Sequence, residues 1–414
     1  MIKIPRLAYF PDSFLEVNGV AMTSNRFMLY AKERNLPVLC IHAGPGNETY
    51  SDGSVSYLSL KRSPLSFQLD EELAYDPFFQ RYAKTVRRKL LEFRPDIIHI
   101  TGLNDVSILG NYLAWKLDIP VLGSWHTNLH EFAARRLMKL GKFLPEAMFH
   151  SLSGIVEQKI LEGALLYYKI PKVVLAPNQE LVDILAKSTG RTARLMTRGV
   201  DTELFNPQKR TAYDGKFRLG FAGRLRAEKN VRMLVNLENR LIAAGKSGFE
   251  FLIVGEGSER EFLEKNMKFA HFTGFLEGEK LAETYANMDL FIFPSETDAF
   301  GNVVQEANAS GVPAIVTDKG GPKFVVQNGI TGFIASDSEQ FAEYTIRLMD
   351  NPAERSKIAQ AALKFVRSRS WNVVFDGVYD AYRECIDIAL AKKAEAANNA
   401  NCPATTAKSE AAES

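Results

Sequence analysis

Two acidic side chains and the start of a helix lie close together in residues 289–322, and their spacing points to a definite chemistry. An apolar strand at 290–293 runs into a polar loop that contains Asp298, and we expect a helix to begin near Gly301. Backbone N–H groups at a helix N-terminus lack intrahelical partners and suit a phosphate or diphosphate. Asp298 and Glu306 are poor phosphate ligands but good acceptors for sugar hydroxyls. The segment therefore predicts a nucleotide-sugar site.

Two basic side chains, Arg224 and Lys229, follow another apolar strand at 218–222. The departure of a nucleoside diphosphate from a sugar develops negative charge, which a guanidinium binds bidentately and an ammonium meets as a point charge. Hydrogen bonds to charged groups contribute roughly 1.5–3 kcal/mol each. A solvated basic turn is the alternative interpretation. The acidic motif downstream favours the phosphate role.

These two segments resemble the retaining glycosyltransferases of family four. The first is FAGRLRAEKN at 221–230. The second follows the family pattern of an acid, seven residues, a Glu and then Ala-x-Ala-x-Gly-x-Pro, which this chain fills with Asp298, Glu306 and ANASGVP. The family's first acid is usually Glu, one methylene longer. The resemblance covers residues 5–390 and implies the GT-B fold. That fold has two facing, doubly wound α/β domains of Rossmann type and a C-terminal helix that crosses back to the N-terminal domain.

The resemblance also implies roles for single residues. Arg224 and Lys229 match the family residues that hold the diphosphate. Glu306 matches the acid that accepts hydrogen bonds from the ribose, and Asp298 matches the acid near the donor hexose. Glu296 lies two residues too early for the motif and is expected at the surface. Backbone N–H groups of the loop and first helical turn would face phosphate or sugar: Phe300, Gly301, Asn302 and Val303.

The N-terminal half matches the family more loosely. His126 matches a histidine that reaches the donor sugar, and we assign it a catalytic role with Arg224, Lys229 and Asp298. Gly19 matches one glycine of the usual phosphate-loop pair, although an ordinary strand-to-helix turn explains it too.

Arg198 begins an Arg-Gly-Val-Asp segment and either meets a phosphate or pairs with an acid across the hinge. The local sequences at Gly19 and Arg198 resemble the branch that includes many GDP-mannose-dependent mannosyltransferases.

No Asp-x-Asp sequence and no zinc-like spacing of His or Cys occurs in the chain. We therefore predict no metal and no cofactor, with the nucleotide-sugar as a co-substrate. Cationic side chains and helix-terminal amides would then stabilise the leaving group. Retention in this family is explained by same-face attack, in which the departing phosphate accepts the acceptor's proton.

The length of 414 residues predicts two domains, and short apolar strands alternate with helices in both halves. We expect an acceptor-side domain at 1–207, a nucleotide-sugar domain at 208–370, a crossover helix at 371–395 and a disordered tail at 396–414. Strands are predicted at 6–10, 37–42, 96–100, 120–124, 172–176, 217–222, 249–254, 269–272, 289–293 and 313–317. Helices are predicted in the first half at 19–34, 76–93, 104–118, 146–168 and 178–188.

The net charge of +2 argues against nucleic acid as a partner. Three cysteines without paired spacing suggest a reducing compartment. No apolar run reaches the length of about 18 residues that a membrane span needs, so a cytoplasmic location is expected. Basic amphipathic segments at 131–146 and 76–93 predict peripheral contact with an anionic inner membrane face, or else they are ordinary helices packed on a core.

The combined prediction is a retaining hexosyltransferase. It would move a hexosyl group from GDP-mannose or a UDP-glucose-type donor to a lipid or saccharide acceptor. Two alternatives stay open: a catalytically silent protein that binds sugar nucleotides or acts as a scaffold, and a GT-B-like nucleotide-sugar epimerase or phosphorylase.

Overall fold

A computed structural model of the chain describes residues 4–16, 18–70, 73–125, 158–298 and 300–401. Two large sheets and a small hairpin organise these residues. The strands are β1 Leu7–Phe10, β2 Val38–Gly44, β3 Glu48–Asp52, β4 Val55–Lys61, β5 Phe67–Asp70, β6 Leu73–Tyr75, β7 Ile97–Ile100, β8 Val121–Ser124, β9 Val173–Ala176, β10 Thr192–Leu195, β11 Phe217–Ala222, β12 Phe249–Val254, β13 Ala270–Gly274, β14 Leu290–Phe293, β15 Ala314–Thr317 and β16 Gly332–Ala335.

Helices lie between most of these strands. They are α1 Gly19–Glu33, α2 Ala83–Phe93, α3 Asp105–Leu117, α4 (described over 158–167), α5 Gln179–Thr189, α6 Arg232–Ala243, α7 Arg260–Asn266, α8 Gly278–Ala286, α9 Asn302–Ala309, α10 Ser338–Asp350, α11 Pro352–Arg367 and α12 Trp371–Asn401.

The first sheet has the strand order β10-β9-β8-β7-β1-β2-β4-β3. All neighbouring pairs are parallel except β3 and β4. Its inner strands, such as Ile97–Ile100, are fully buried because helices cover both faces. Parallel strands with helical crossovers are the arrangement that the sequence predicted.

The second sheet has the order β13-β12-β11-β14-β15-β16 and is parallel throughout. The chain passes to it between β10 and β11, through a 3₁₀ turn at Pro207–Lys209. In a doubly wound sheet, ligands bind at the carboxyl ends of the strands. The loops that follow β11 and β14 meet at that edge because the two strands are neighbours.

Helix α12 returns from the second sheet to the first, as the predicted crossover helix requires. Phe375, Val378 and Tyr382 on this helix are buried in the core that β1 and β7 also line. The hydroxyl of Tyr382 shares a 2.7 Å hydrogen bond with Nδ1 of His99 on β7. The helix extends to Asn401, so the prediction of disorder from residue 396 is wrong for 396–401. Alanine is the strongest helix former, and five alanines at 391–400 prolong the helix without burying a core.

Some predicted bounds also differ from the structure. Residues 79–82 form a 3₁₀ turn before α2, so the helix predicted at 76–93 begins only at Ala83. The structure adds strands that the sequence did not predict: β3, β4, β5, β6, β10 and β16. Much of the helix predicted at 146–168 lies outside the described residues.

Candidate active site

The loops after β11 and β14 are joined by an ion pair. Nζ of Lys229 lies 2.6 Å from Oδ1 of Asp298. Lys229 is buried, and Thr297 beside the acid donates a 3.2 Å hydrogen bond to the carbonyl of Glu228. The two residues that the sequence placed on the phosphate and the sugar are therefore held together at the strand edge.

The pKa of Asp298 reflects its burial and the polar groups around it. Burial acts to raise it, but the attraction and hydrogen bond of Lys229, with the Ser295 hydroxyl and the charge of Arg224, outweigh burial and hold this pKa below its ordinary value. The carboxylate is consequently ionised at neutral pH. Its second oxygen, Oδ2, is buried and has no hydrogen-bond partner among the described residues. That oxygen can accept a hydrogen bond from a hydroxyl.

Arg224 lies half-buried on the same loop as Lys229. The charge of its guanidinium is among the influences that lower the pKa of Asp298. Two cations thus lie near one carboxylate at the strand edge. Such a site suits an anion with more than one charged oxygen.

Helix α9 begins beside this pair. Gly301 precedes it with a φ of 103°, and no side chain caps the helix. A Cβ at Gly301 would lie 3.2 Å from the Pro322 ring, so both the backbone and the packing favour glycine. Phe300 is buried in the core and anchors the turn. The first N–H groups, including those of Asn302 and Val303, belong to an uncapped helix N-terminus.

Helix α1 starts opposite α9. Its N-cap, Asn18, accepts hydrogen bonds from the backbone N–H groups of Val20 and Ala21. A Cβ at Gly19 would lie 3.1 Å from Nδ2 of Asn302, so the first turns of the two helices almost touch. Each N-terminus carries partial positive charge. The two helix starts therefore add to the positive field of Arg224 and Lys229.

Arg198 stabilises the first turn of α1 through Thr23. The buried guanidinium donates to Oγ1 of Thr23 at 2.5 Å, and that hydroxyl donates to the carbonyl of Gly19 at 2.8 Å. Burial lowers the pKa of Arg198 to about 10, so it stays cationic at neutral pH. Its contact with Thr23 places Arg198 behind Gly19. Across the linker, it is Arg26 that pairs with Asp201, at 2.8 Å.

Glu306 lies on α9 and meets a residue that the sequence did not single out. Tyr285 on α8 is fully buried, and its hydroxyl donates to Oε2 of Glu306 at 2.9 Å. Burial raises the pKa of Glu306 to about 7, although the hydrogen bond from Tyr285 acts to lower it. A buried tyrosine needs a partner for its hydroxyl, but the sequence alone shows neither the burial of Tyr285 nor its contact with Glu306.

Other predicted residues fall outside the cluster or outside the description. Glu296 is exposed and pairs with Lys319 at 3.3 Å, as expected for a surface residue. His126 and the basic segment 131–146 lie outside the described residues. Within the described ranges no group of three or more His, Cys, Asp or Glu is arranged to hold a metal ion. In the same ranges no helix is long and apolar enough to cross a membrane.

Both halves of the chain match glycosyltransferase family models. Residues 17–204 match the model described as glycosyltransferase family 4, and residues 203–365 match glycosyl transferases group 1.

Curated relatives and solved structures extend these matches. The chain is 28% identical over 404 residues to a GDP-mannose-dependent alpha-mannosyltransferase of Corynebacterium glutamicum, covering 93% of this chain and 90% of the relative. It is 33% identical over 311 residues to the enzyme of that name from Mycobacterium tuberculosis, covering 72% and 75%. A solved sucrose-phosphate synthase from Thermosynechococcus elongatus has a TM-score of 0.69 at 18% identity, covering 93% of this chain and 100% of the other. The last match shows the GT-B fold.

Proposed function

Since this chain belongs to the group 1 glycosyltransferases of family 4, we propose that it transfers mannose from GDP-mannose to a lipid or saccharide acceptor with retention of configuration. Its family membership makes it a nucleotide-sugar-dependent glycosyltransferase. The mannose donor is supported by the printed activity of its relatives, which are GDP-mannose-dependent. The chain is an enzyme with a nucleotide-sugar as co-substrate.

One observation carries the donor site: the Lys229–Asp298 pair stands beside the converging N-termini of α1 and α9. In the proposed complex the diphosphate lies between those helix starts and is neutralised by Arg224 and Lys229. The phosphates or the sugar accept hydrogen bonds from the backbone N–H groups of Phe300, Gly301, Asn302 and Val303. This arrangement stabilises the charge that develops on the departing nucleoside diphosphate.

The two acids accept hydrogen bonds from hydroxyl groups of the donor. Asp298 offers Oδ2 to the hexose, because Lys229 already occupies Oδ1. Glu306 accepts hydrogen bonds from the ribose hydroxyls. We place Gly19 at the phosphates, with Arg198 behind it through Thr23. His126 is proposed to reach the sugar from the N-terminal domain.

The chemical step that we propose needs neither a metal nor a covalent enzyme intermediate. The acceptor hydroxyl oxygen bonds to the anomeric carbon on the face from which the diphosphate leaves. The departing phosphate oxygen takes the hydroxyl proton as its bond to carbon breaks. Acceptor binding is assigned to the domain at 1–207 and donor binding to 208–370.

A thermal-shift panel with GDP-mannose, UDP-glucose and ADP-glucose, each with and without EDTA, tests the donor assignment. A ligand that binds only the native state raises stability by about 2.7 kcal/mol at a hundredfold excess over its Kd. We expect GDP-mannose to give the largest shift and EDTA to leave it unchanged. A larger shift with another donor would reassign the sugar, and loss of the shift in EDTA would contradict metal independence.

We further propose that the N-terminal domain rests on an anionic membrane face. Helix α2 exposes Arg87 and Arg88. On α3 the side chain of Trp115 is 70% exposed, with Nζ of Lys116 lying 4.5 Å from its ring centroid. Aromatic and basic side chains together suit a lipid interface.

Co-sedimentation with vesicles containing phosphatidylglycerol tests this contact. We expect binding at low salt and weaker binding for Trp115→Ala and for Arg87→Ala/Arg88→Ala. Equal recovery of the protein with neutral and anionic vesicles would contradict the proposal.

A further inference from the structure

The fully buried phenol of Tyr285 is aimed at one oxygen of a proposed donor-binding acid. Its hydroxyl lies 2.9 Å from Oε2 of Glu306 and donates its single proton there. The two residues are on different helices, α8 and α9, and 21 positions apart in the chain. The hydrogen bond therefore fixes the carboxylate relative to an element that carries none of the other proposed donor ligands.

The ring of Tyr285 is itself held between two aromatic side chains. Phe205 packs edge-on at a centroid distance of 5.7 Å, and Phe291 on β14 lies at 5.7 Å in a tilted arrangement. Phe205 belongs to the segment between the two sheets and is buried. The phenol is thus placed by the second sheet and by the interdomain segment together.

We propose that Tyr285 is a positioning residue for donor recognition, holding one oxygen of Glu306 so that the ionised carboxylate presents the other to the ribose hydroxyls. This inference rests on the proposed role of Glu306 as the ribose acceptor. The catalytic cations Arg224 and Lys229 take no part in it.

The electrostatic surroundings of Glu306 are simple. Helices α8 and α11 and strands β14 and β15 pack against α9. Within the described structure, burial raises the pKa of Glu306 and the Tyr285 hydroxyl lowers it, and no charged side chain of those four elements contributes. Loss of the phenol therefore raises this pKa further. The fraction of ionised Glu306 at neutral pH then falls, and with it the capacity to accept two ribose hydroxyls.

The test is the pH dependence of nucleotide affinity in Tyr285→Phe. Calorimetry would give the Kd of the preferred diphosphate among GDP, UDP and ADP, and of its 2′,3′-dideoxy analogue, from pH 6 to 9. We expect wild-type affinity for the ribose form to rise through about pH 7. In Tyr285→Phe the midpoint should move up by about one pH unit, which weakens binding about fivefold at pH 7 and restores it near pH 9.

Three controls separate the possible results. The dideoxy analogue should bind both proteins alike and without this pH dependence. Tyr213→Phe, at a side chain that is 80% exposed, should match the wild type. Glu306→Gln should lose both the pH dependence and the preference for the ribose form.

A second variant guards against a folding defect in Tyr285→Phe. Site-specific 3,5-difluorotyrosine at position 285 keeps the ring and makes the hydroxyl a stronger donor, so the midpoint should move below the wild-type value. An unchanged midpoint in both variants, with Glu306→Gln behaving as expected, would overturn the positioning role alone. Equal affinity of the wild type for the ribose and dideoxy forms would overturn the proposed role of Glu306 itself.

Discussion

Nζ of Lys229 lies 2.6 Å from Oδ1 of Asp298, so a cation expected at the phosphate and an acid expected at the sugar are partners within the protein. Each charge is partly removed from water, which costs free energy unless the charge is paired. The ion pair offsets that cost. It also leaves Oδ2 of Asp298 buried without a hydrogen-bond partner among the described residues, and we propose that this oxygen meets the donor sugar. Donor binding then adds to a positioned pair, which needs little reorganisation.

Lys229→Met should damage both turnover and stability. Loss of one positioned cation at the leaving group is expected to lower turnover by about 10²–10³. The carboxylate of Asp298 would lose its partner, which costs about 1–3 kcal/mol of unfolding free energy. Steady-state kinetics and urea unfolding measure the two effects. Lys319→Met removes the partner of exposed Glu296 and should change neither; equal losses in both variants would contradict the assignment.

Glu306→Gln should change how the stability of the ligand-free protein depends on pH. The folded state raises the pKa of Glu306 to about 7, above its unfolded value of about 4.3. The contribution is therefore fully present below about pH 4.3 and is lost as the pH rises through 7, at a total of up to about 4 kcal/mol.

The measurement is urea unfolding from pH 4.5 to 8 without ligand. The wild type should lose more stability than Glu306→Gln across that range, because glutamine does not titrate. Parallel stability curves for the two proteins would show that the pKa of Glu306 is not raised.

Gly301→Ala should destabilise the protein and weaken donor binding. The positive φ of 103° costs an alanine about 1–2 kcal/mol, and its Cβ would also press on Pro322. Gly163→Ala is the matched control, since it lies on helix α4 with nothing within 4 Å of its Cβ. That change should be neutral or stabilising by about 0.5–1 kcal/mol. Thermal unfolding with and without nucleotide compares the two, and wild-type behaviour of Gly301→Ala would contradict the positive φ of Gly301 and its close approach to Pro322.

Tyr382→Phe tests the crossover helix. The variant removes the 2.7 Å hydrogen bond to His99, a residue whose pKa is lowered to about 3 by burial and which is therefore neutral at pH 7. Leaving the buried Nδ1 without this partner should cost about 1–3 kcal/mol. Urea unfolding should show a lower midpoint with an unchanged slope. A midpoint equal to that of Tyr213→Phe would mean that the Tyr382–His99 hydrogen bond does not stabilise the folded state.

The fold was predictable where strands are short, apolar and buried. Segments such as Ile97–Ile100 and Leu290–Phe293 have that pattern, and the structure forms a parallel strand at each. Strand β3 was missed because all five of its residues are exposed and polar or aromatic, with no apolar face to detect. Strand β16 is four residues long and begins with Gly332, so its signal is weak.

The site was predictable only as separate motifs. Residue type, spacing and the family resemblance singled out Arg224, Lys229, Asp298 and Glu306 as candidate site residues. Their contacts were not, because the Lys229–Asp298 pair joins residues 69 positions apart and is created by the pairing of β11 with β14. Tyr285 lacks any motif, and its importance follows from a contact between two helices. Sequence spacing reports on neighbours along the chain, whereas these contacts depend on the register of the sheet.

The central claim is that Arg224 and Lys229 hold the diphosphate of the donor, and calorimetry with GDP and GMP in EDTA tests it most directly. The account predicts that the wild type binds GDP much more tightly than GMP. Arg224→Ala and Lys229→Met should each lose most of that preference while retaining similar affinity for GMP. Wild-type preference in both variants would contradict the claim.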